Sequence, residues 1–335
     1  MNVQTRLSSE ARSNLGDALP LKQPYVLLVD PSSLCNLRCK WCPSGYDSLI
    51  AETKRTQQVM PFALFEELIR QAAEYGSPFR ILRLYKEGEP LVNPQFEDMV
   101  KLAKESGCFS RIDTTTNGLL LNPERNRKII QAGIDQINIS VNGVSEEQIY
   151  RNTNRHIDFE AYVRNIQDLY EHRGDCTIYI KSIKDVLTEK EQETFFQLFG
   201  DMADRVYLER LSPAWPDFDI TQSGYLYEDI GNYEQPLENR KVCPYLFYIM
   251  VVNADGTVST CVGDWKHHQI VGDIRKNSLK DIWLGERQRY YQLSHLQGNR
   301  CNLKLCQSCQ VIIYGCYDNI DHVAEQIVEK MYGYT

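Results

Sequence analysis

The sequence predicts an α/β protein, a crescent-shaped partial (βα)6 barrel of the TIM type followed by a small cysteine-bearing module. Three observations predict it. Short β-rich runs alternate with helical stretches from residue 25 to residue 211, the signature of parallel βα units. Alternate positions within those runs are polar, which suits a curved sheet with one face on helices and the other lining a lumen; a doubly wound sheet needs both faces apolar. After Leu211 the periodicity stops, and six of the 11 cysteines lie beyond it.

The expected strands are YVLLVD (25–30), RILRLYK (80–86), SRIDTTTNG (110–118), QINISVNG (136–143), TIYIKSIKD (177–185) and RVYLERL (205–211). Helices between them start near Pro61, Asn93, Asn122, Asp158 and Thr188, several behind a capping residue, as in NPQFED and NPERNR. Six strands are fewer than the eight of a closed barrel. Parity puts Arg83, Tyr85 and Glu87 on the lumen face, then Asp113, Thr115 and Asn117. Asn138, Ser140 and Asn142 follow, and Lys181, Tyr207 and Glu209 complete the series.

The barrel is expected over residues 22–212, behind an N-terminal arm (1–21). Residues 213–240, rich in Pro, Gly, Tyr and Asp, read as a linker or lid. The second module spans 241–318 and contains VVNADGTVSTC, whose Asp-Gly pair is a strong hairpin signal. Residues 319–335 form a C-terminal tail.

A chain of 335 residues with 42% hydrophobic and 24% charged residues can bury one large core and a smaller module. Its net charge of -8, with no basic block, argues against a nucleic-acid partner. No apolar run approaches a membrane span and no export signal opens the chain, so the expectation is a cytoplasmic protein without a membrane partner. In a reducing compartment, many cysteines point to metal ligation or redox chemistry rather than disulfides. Cys108 and Cys176 stand alone and read as small buried residues. The adjacent pair His267 and His268 reads as solvated loop.

The stretch SSLCNLRCKWCPSG sets Cys35, Cys39 and Cys42 at Cys-x3-Cys-x2-Cys spacing, directly after the first strand, where parallel barrels place their chemistry. A closed zinc site wants four protein ligands, whereas three leave one metal position open to something that is not protein. Cys243, Cys261, Cys306 and Cys309 make a second set. Four thiolates would close an iron-sulfur cluster or, equally legitimately, a zinc ribbon. Cys301 and Cys316 are spare; either could displace an assigned ligand.

Cys35, Cys39 and Cys42, with the aromatic Trp41 beside them, resemble the motif of the radical S-adenosylmethionine (SAM) superfamily. The resemblance implies a [4Fe-4S] cluster on the three thiolates and SAM on its fourth iron. KEGEPL resembles the family's Gly-Gly-Glu-Pro turn, with Glu87 at the first glycine and Gly88 and Glu89 intact. Asn117, Ser140 and Arg151 match further SAM-facing positions, Arg151 as a partner for the cofactor carboxylate. The second set resembles the SPASM module or its shortened twitch form, implying one auxiliary [4Fe-4S] cluster and making this the iron-sulfur domain of the fold. Its spacing is similar to that of an alcohol-oxidising dehydrogenase of the superfamily.

The chemistry so implied is cleavage of SAM to a 5'-deoxyadenosyl radical, hydrogen abstraction from a carbohydrate- or cyclitol-like small molecule, and electron loss to the auxiliary cluster. Arg83, Tyr85, Asp113, Lys181, Tyr207 and Glu209 are the lumen residues that could take the hydroxyl proton. An external donor such as flavodoxin or ferredoxin would supply the first electron. Modification of a peptide through thioether or carbon-carbon links is the alternative, disfavoured by the short stretch before the first strand. Radical epimerisation of a small molecule and a non-catalytic electron carrier are the others.

Overall fold

A computed structural model of the chain describes residues 1–6, 14–53, 55–315 and 318–333. The six β-rich runs form β1 (Val26–Val29), β2 (Ile81–Leu84), β3 (Ile112–Thr116), β4 (Gln136–Ser140), β5 (Thr177–Ile183) and β6 (Arg205–Glu209). The helices before and between them are α1 (Leu15–Ala18), α2 (Asp47–Ala51), α3 (Phe62–Ala73) and α4 (Phe96–Glu105), then α5 (Pro123–Gln131), α6 (Glu146–Thr153), α7 (Phe159–Glu171) and α8 (Glu189–Phe199).

Four of the five helices expected from the sequence start where it says. Asn122 caps α5 through Arg125 N–H, Asp158 caps α7 through Ala161 N–H, and Thr188 closes a reciprocal capping box with Glu191 on α8. Each such cap is worth about 1 kcal/mol. The helix expected near Asn93 begins later, at Phe96, because the Asn93 amide is buried and donates to the carbonyls of Pro31 (2.9 Å) and Met60 (3.0 Å). Helix α6, which periodicity did not reveal, is capped by Ser145.

All six strands are parallel, in the spatial order β6-β5-β4-β3-β2-β1. The sheet does not close. The free edge of β1 pairs in parallel with β7 (Ile249–Val252), and β8 (Thr257–Ser259) and β9 (Ile270–Asp273) continue it antiparallel. Gly256, at φ +83°, completes the Asp-Gly turn between β7 and β8. α9 (Leu279–Leu284), α10 (Glu286–Leu296), α11 (Val311–Tyr314) and α12 (Ala324–Tyr332) complete the chain.

The composition boundaries at 212 and 241 therefore divide segments that share one nine-stranded sheet. Leu27, Val29, Leu82 and Leu84 face the helices and pack in one core with Phe65, Phe96 and Phe195, and with Met250, Val258 and Trp283 of the second module. On the other face of β1 and β7, Val26, Leu28, Ile249 and Val251 make a separate apolar patch, so lumen polarity begins only at β2. The arm pairs with β6 through Gln4 N–H to Val206 O (3.1 Å). The tail is no loose end: Ile327 and Met331 of α12 pack with Leu15, Leu19 and Phe247. Phe218 and Ile220 of the 213–240 segment pack with Trp265, whose indole N–H donates to Pro216 O (2.7 Å).

Candidate active site

The three thiols of the first set sit in the loop leaving β1. Arg38 N–H and Lys40 N–H donate to the carbonyls of Thr153 and Asn152 at the end of α6, at 3.0 and 3.1 Å. The turn after β2 supports the loop from below: Glu89 N–H donates to Leu34 O at 2.9 Å. A Cβ on Gly88 would stand 2.2 Å from Ser32 O and 2.3 Å from Leu34 O, so close packing on the cysteine loop requires glycine here. The Glu89 carboxylate accepts from Leu91 N–H, Thr116 Oγ1 (2.6 Å) and Asn117 N–H (2.7 Å), and the Asn117 amide donates to Asn36 within the cysteine motif (2.7 Å). Glu89 and Asn117 thus hold the loop's shape.

Glu87 has a different place from the one its motif suggests. Its side chain is fully buried and paired with Arg55 (3.2 Å), with Lys86, and with His267 Nε2 (3.0 Å). Burial alone would raise its carboxyl, but Lys86, the His267 hydrogen bond and Arg55 outweigh that and hold it down to about 2. Lys86 also donates to Asn253 Oδ1 (2.7 Å), so the network crosses from β2 into the second module. His267 is buried at φ +54°, not solvated. Its neighbour His268 is partly buried, its N–H donating to Asp264 Oδ1. A histidine in a loop gives no periodic signal, which is why the sequence hid it. Arg151, expected at a cofactor carboxylate, instead pairs with Glu191 of α8 at 3.7 Å.

Two cavities open on the lumen. The smaller, about 230 Å³, is lined by Trp41, Ser140, Asn142, Lys181 and Glu209, with Lys181 Nζ 2.5 Å from Glu209 Oε2. The larger, about 470 Å³, is lined by Arg83 and Tyr85 of β2 and the following turn, by Arg6 of the arm, and by several tyrosines. Ser212, Ala214, Trp215 and Asn232 line both, so the segment read as a linker is a shared wall. Asp113 and Tyr207, two of the proton-acceptor candidates, line neither. Asp113 lies 3.5 Å from Arg83 and 3.6 Å from Arg111, and the Tyr207 ring packs on Tyr233. Burial would raise the Tyr85 phenol, yet the charges of Arg6 and Arg83 outweigh it and lower its pKa.

Of the second thiol set, Cys243, Cys306 and Cys309 lie within electrostatic reach of Cys261. Cys261 feels Cys243, Cys309 and Cys306 as neighbouring charges, and burial with that repulsion holds it far above an ordinary thiol. Burial, then the same neighbours, push Cys306 up to about 12 and Cys309 up to about 11. Cys301 is exposed, its Sγ 3.8 Å from Asn302 Oδ1; Cys316 lies outside the described residues. Val262 and Gly263, next to Cys261, line the larger cavity. Sequence reasoning missed His295. It is buried, accepts from Cys243 N–H on Nδ1 (3.2 Å), and sets Nε2 3.4 Å from Cys306 Sγ. Cys108 and Cys176 are buried in the core, as expected.

The donor chemistry fits iron-sulfur groups. Burial pushes Cys35 up to about 12 and raises Cys39 and Cys42, so the bare thiols stay protonated until a cationic centre supplies the missing charge. Among the described residues no three His, Cys, Asp or Glu side chains form a ready-made site for a single metal ion. Nor, among the described residues, is any helix long and apolar enough to cross a membrane.

Comparison with known proteins agrees with this geometry. The pattern of the radical SAM superfamily matches residues 29–195, and that of SPASM, an iron-sulfur cluster-binding domain, matches residues 243–310. The chain is 24% identical over 306 residues to the tungsten-containing aldehyde ferredoxin oxidoreductase cofactor-modifying protein of Pyrococcus furiosus, covering 79% of this chain and 82% of that one. It is 21% identical over 299 residues to the S-adenosyl-L-methionine-dependent 2-deoxy-scyllo-inosamine dehydrogenase of Niallia circulans, covering 89% and 97%. Among solved structures, BtrN in complex with AdoMet and 2-DOIA superposes with a TM-score of 0.55 at 19% identity, over 85% of this chain and 92% of that one. The two domains imply SAM, a [4Fe-4S] cluster and auxiliary iron-sulfur centres.

Proposed function

Because the chain belongs to the radical SAM superfamily and carries a SPASM-type iron-sulfur domain, we propose that it oxidises a hydroxyl-bearing small molecule of carbohydrate or cyclitol type. In this reading Cys35, Cys39 and Cys42 hold the SAM-binding cluster, and Cys243, Cys261, Cys306 and Cys309 hold one auxiliary cluster. When bound, these groups supply an acceptor for one hydrogen atom and a sink for one electron. The chain itself must supply orientation, a dry cavity and a proton acceptor.

The observation that carries the reading is the larger cavity. It adjoins the Trp41 and Ser140 cleft through a shared wall and reaches Val262 and Gly263 beside Cys261, so a substrate there lies between the two thiol sets. Tyr85 is the proton acceptor in this reading: it lines the cavity, and its lowered pKa favours the phenolate. Trp41, Ser140, Lys181 and Glu209 line the SAM cleft, with Lys181 and Glu209 neutralising each other. Likeness to the Niallia circulans dehydrogenase supports oxidation. A one-electron donor of flavodoxin or ferredoxin type completes the scheme.

The test is anaerobic reconstitution with iron and sulfide, followed by an iron count and assays of SAM cleavage and substrate oxidation. Two clusters' worth of iron, cleavage of SAM, and loss of half that iron together with oxidation but not cleavage in Cys306→Ala/Cys309→Ala are expected. Native oxidation by that variant rejects the electron-acceptor role.

A further inference from the structure

We propose that Tyr225, in the segment expected to be a linker or lid, is a positioning residue for SAM that shapes the smaller cavity through Asn152 and Trp41. This rests on reading that cavity as the SAM cleft and is independent of which substrate is oxidised.

Asn152, in the last turn of α6, is fully buried. Its backbone carbonyl accepts from Lys40 N–H, between Cys39 and Cys42, at 3.1 Å. Its side-chain amide donates to Asn142 O, two residues beyond β4, at 2.7 Å. The remaining side-chain oxygen accepts from the Tyr225 hydroxyl. A buried amide oxygen without a donor is costly, so the phenol fixes the orientation in which Asn152 holds Asn142. The Tyr225 ring also meets the Trp41 ring edge-on, with centroids 6.2 Å apart. Trp41 and Asn142 line the smaller cavity, and Tyr225 stands behind that wall rather than in it.

The chain before Tyr225 is pinned to both thiol sets. The Asp217 carboxylate accepts from Ser308 Oγ, between Cys306 and Cys309, at 2.6 Å. Phe218 packs on Tyr46 at 5.6 Å, and the Tyr46 hydroxyl donates to Lys40 O at 2.7 Å, a second grip on the first cysteine loop. Gly224, at φ +79°, then turns the chain, and Tyr225 N–H donates to Ser223 Oγ at 3.2 Å. Phe218, Ile220, Tyr225, Trp41 and Trp265 share one apolar cluster. Residues 217–225 therefore form a strap between the two loops, with Tyr225 at the end that touches the cleft.

SAM carries a flat purine at one end and an amino acid at the other. Trp41 and Trp215 are the ring-bearing residues of the cavity wall, the surfaces suited to a purine. Freeing Trp41 from Tyr225 thus weakens the grip on the purine and spares the amino-acid end.

The experiment is calorimetric titration of the anaerobically reconstituted enzyme with SAM, with 5'-deoxyadenosine and methionine as separate competitors, alongside KM and kcat for SAM cleavage. Tyr225→Phe keeps the ring edge and loses the hydroxyl, and should raise the Kd for SAM about fivefold. Tyr225→Leu loses both and should raise it about tenfold or more. Both variants should keep wild-type iron and raise KM with kcat nearly unchanged. 5'-Deoxyadenosine should lose affinity in step with SAM while methionine does not. Wild-type SAM affinity in both variants, an equal loss for methionine, or weaker binding only where iron is lost overturns the assignment. If the wild-type enzyme fails to bind SAM, the cleft reading falls and this inference with it; if it binds SAM and both variants match it, this inference falls alone.

Discussion

The His267 ring donates Nε2–H to Glu87 Oε1 at 3.0 Å, across 180 residues of sequence, and both side chains are buried. This contact ties the turn beneath the cysteine loop to the second module, with Lys86 and Arg55 on the same carboxylate. Replacing Glu87 by Gln removes the carboxylate that pairs directly with buried Lys86 and Arg55, leaving only the Asp30 carboxyl near them. Loss of about 3–5 kcal/mol of stability is expected. Thermal unfolding of the reconstituted protein measures it, and an unchanged midpoint would show that the network is idle.

Gly88 has no room for a side chain against the carbonyls of Ser32 and Leu34. Gly88→Ala must lift the turn away from the cysteine loop, so iron retention at the first thiol set should fall while the auxiliary set keeps its share. Iron analysis of the variant in a Cys306→Ala/Cys309→Ala background isolates the first set. Full iron content there contradicts the packing argument.

Tyr85→Phe removes the phenol whose acidity Arg6 and Arg83 enhance. Substrate oxidation should drop by about 10²- to 10⁴-fold, while 5'-deoxyadenosine still forms, now uncoupled from product. With Tyr85 as the proposed proton acceptor, wild-type oxidation should rise with pH on the acid side of an ordinary tyrosine. A pH profile of kcat that is the same in variant and wild type assigns the proton to another group.

His295 accepts from Cys243 N–H on Nδ1, so the proton of the neutral ring sits on Nε2, facing Cys306 Sγ at 3.4 Å. Burial, reinforced by Arg300, holds its pKa down to about 3, so the ring stays neutral. A hydrogen bond to a ligand sulfur favours the reduced cluster. Its loss in His295→Leu should make the auxiliary potential more negative by about 40 mV, the equivalent of roughly 1 kcal/mol for one electron. Redox titration followed by electron paramagnetic resonance reads it directly; a shift in the opposite sense rules the hydrogen bond out.

Asp30, at the end of β1, is 1% exposed. Burial first, then the neighbouring Glu87 charge, push its carboxyl up to about 7. A raised acid is protonated in the folded state and ionised in the unfolded one between pH 3.8 and about 7, so its contribution to stability declines as pH rises through that window. Asp30→Asn, which never ionises, should therefore gain on wild type from pH 4 to pH 8 by on the order of 1–4 kcal/mol. Thermal midpoints across that range test this, and a constant gap between the two proteins refutes it.

The sequence by itself determined the six parallel strands, most helix starts, the Asp-Gly hairpin and both thiol sets. These follow from local rules: strand parity, capping side chains, turn residues and the short spacing of ligands on a single loop. Tertiary structure alone decided what depends on residues far apart in the chain. It joined β7 to β1 and so fused the second module to the barrel sheet, brought His267 and Lys86 to Glu87, turned Arg151 to Glu191, and set His295 against Cys306. It also left Asp113 and Tyr207 outside the cavities that Tyr85 and Lys181 line. A charged side chain has no periodicity that announces its partner, and the long-range pairing that satisfies a buried charge is settled only when the sheet and its loops are packed together.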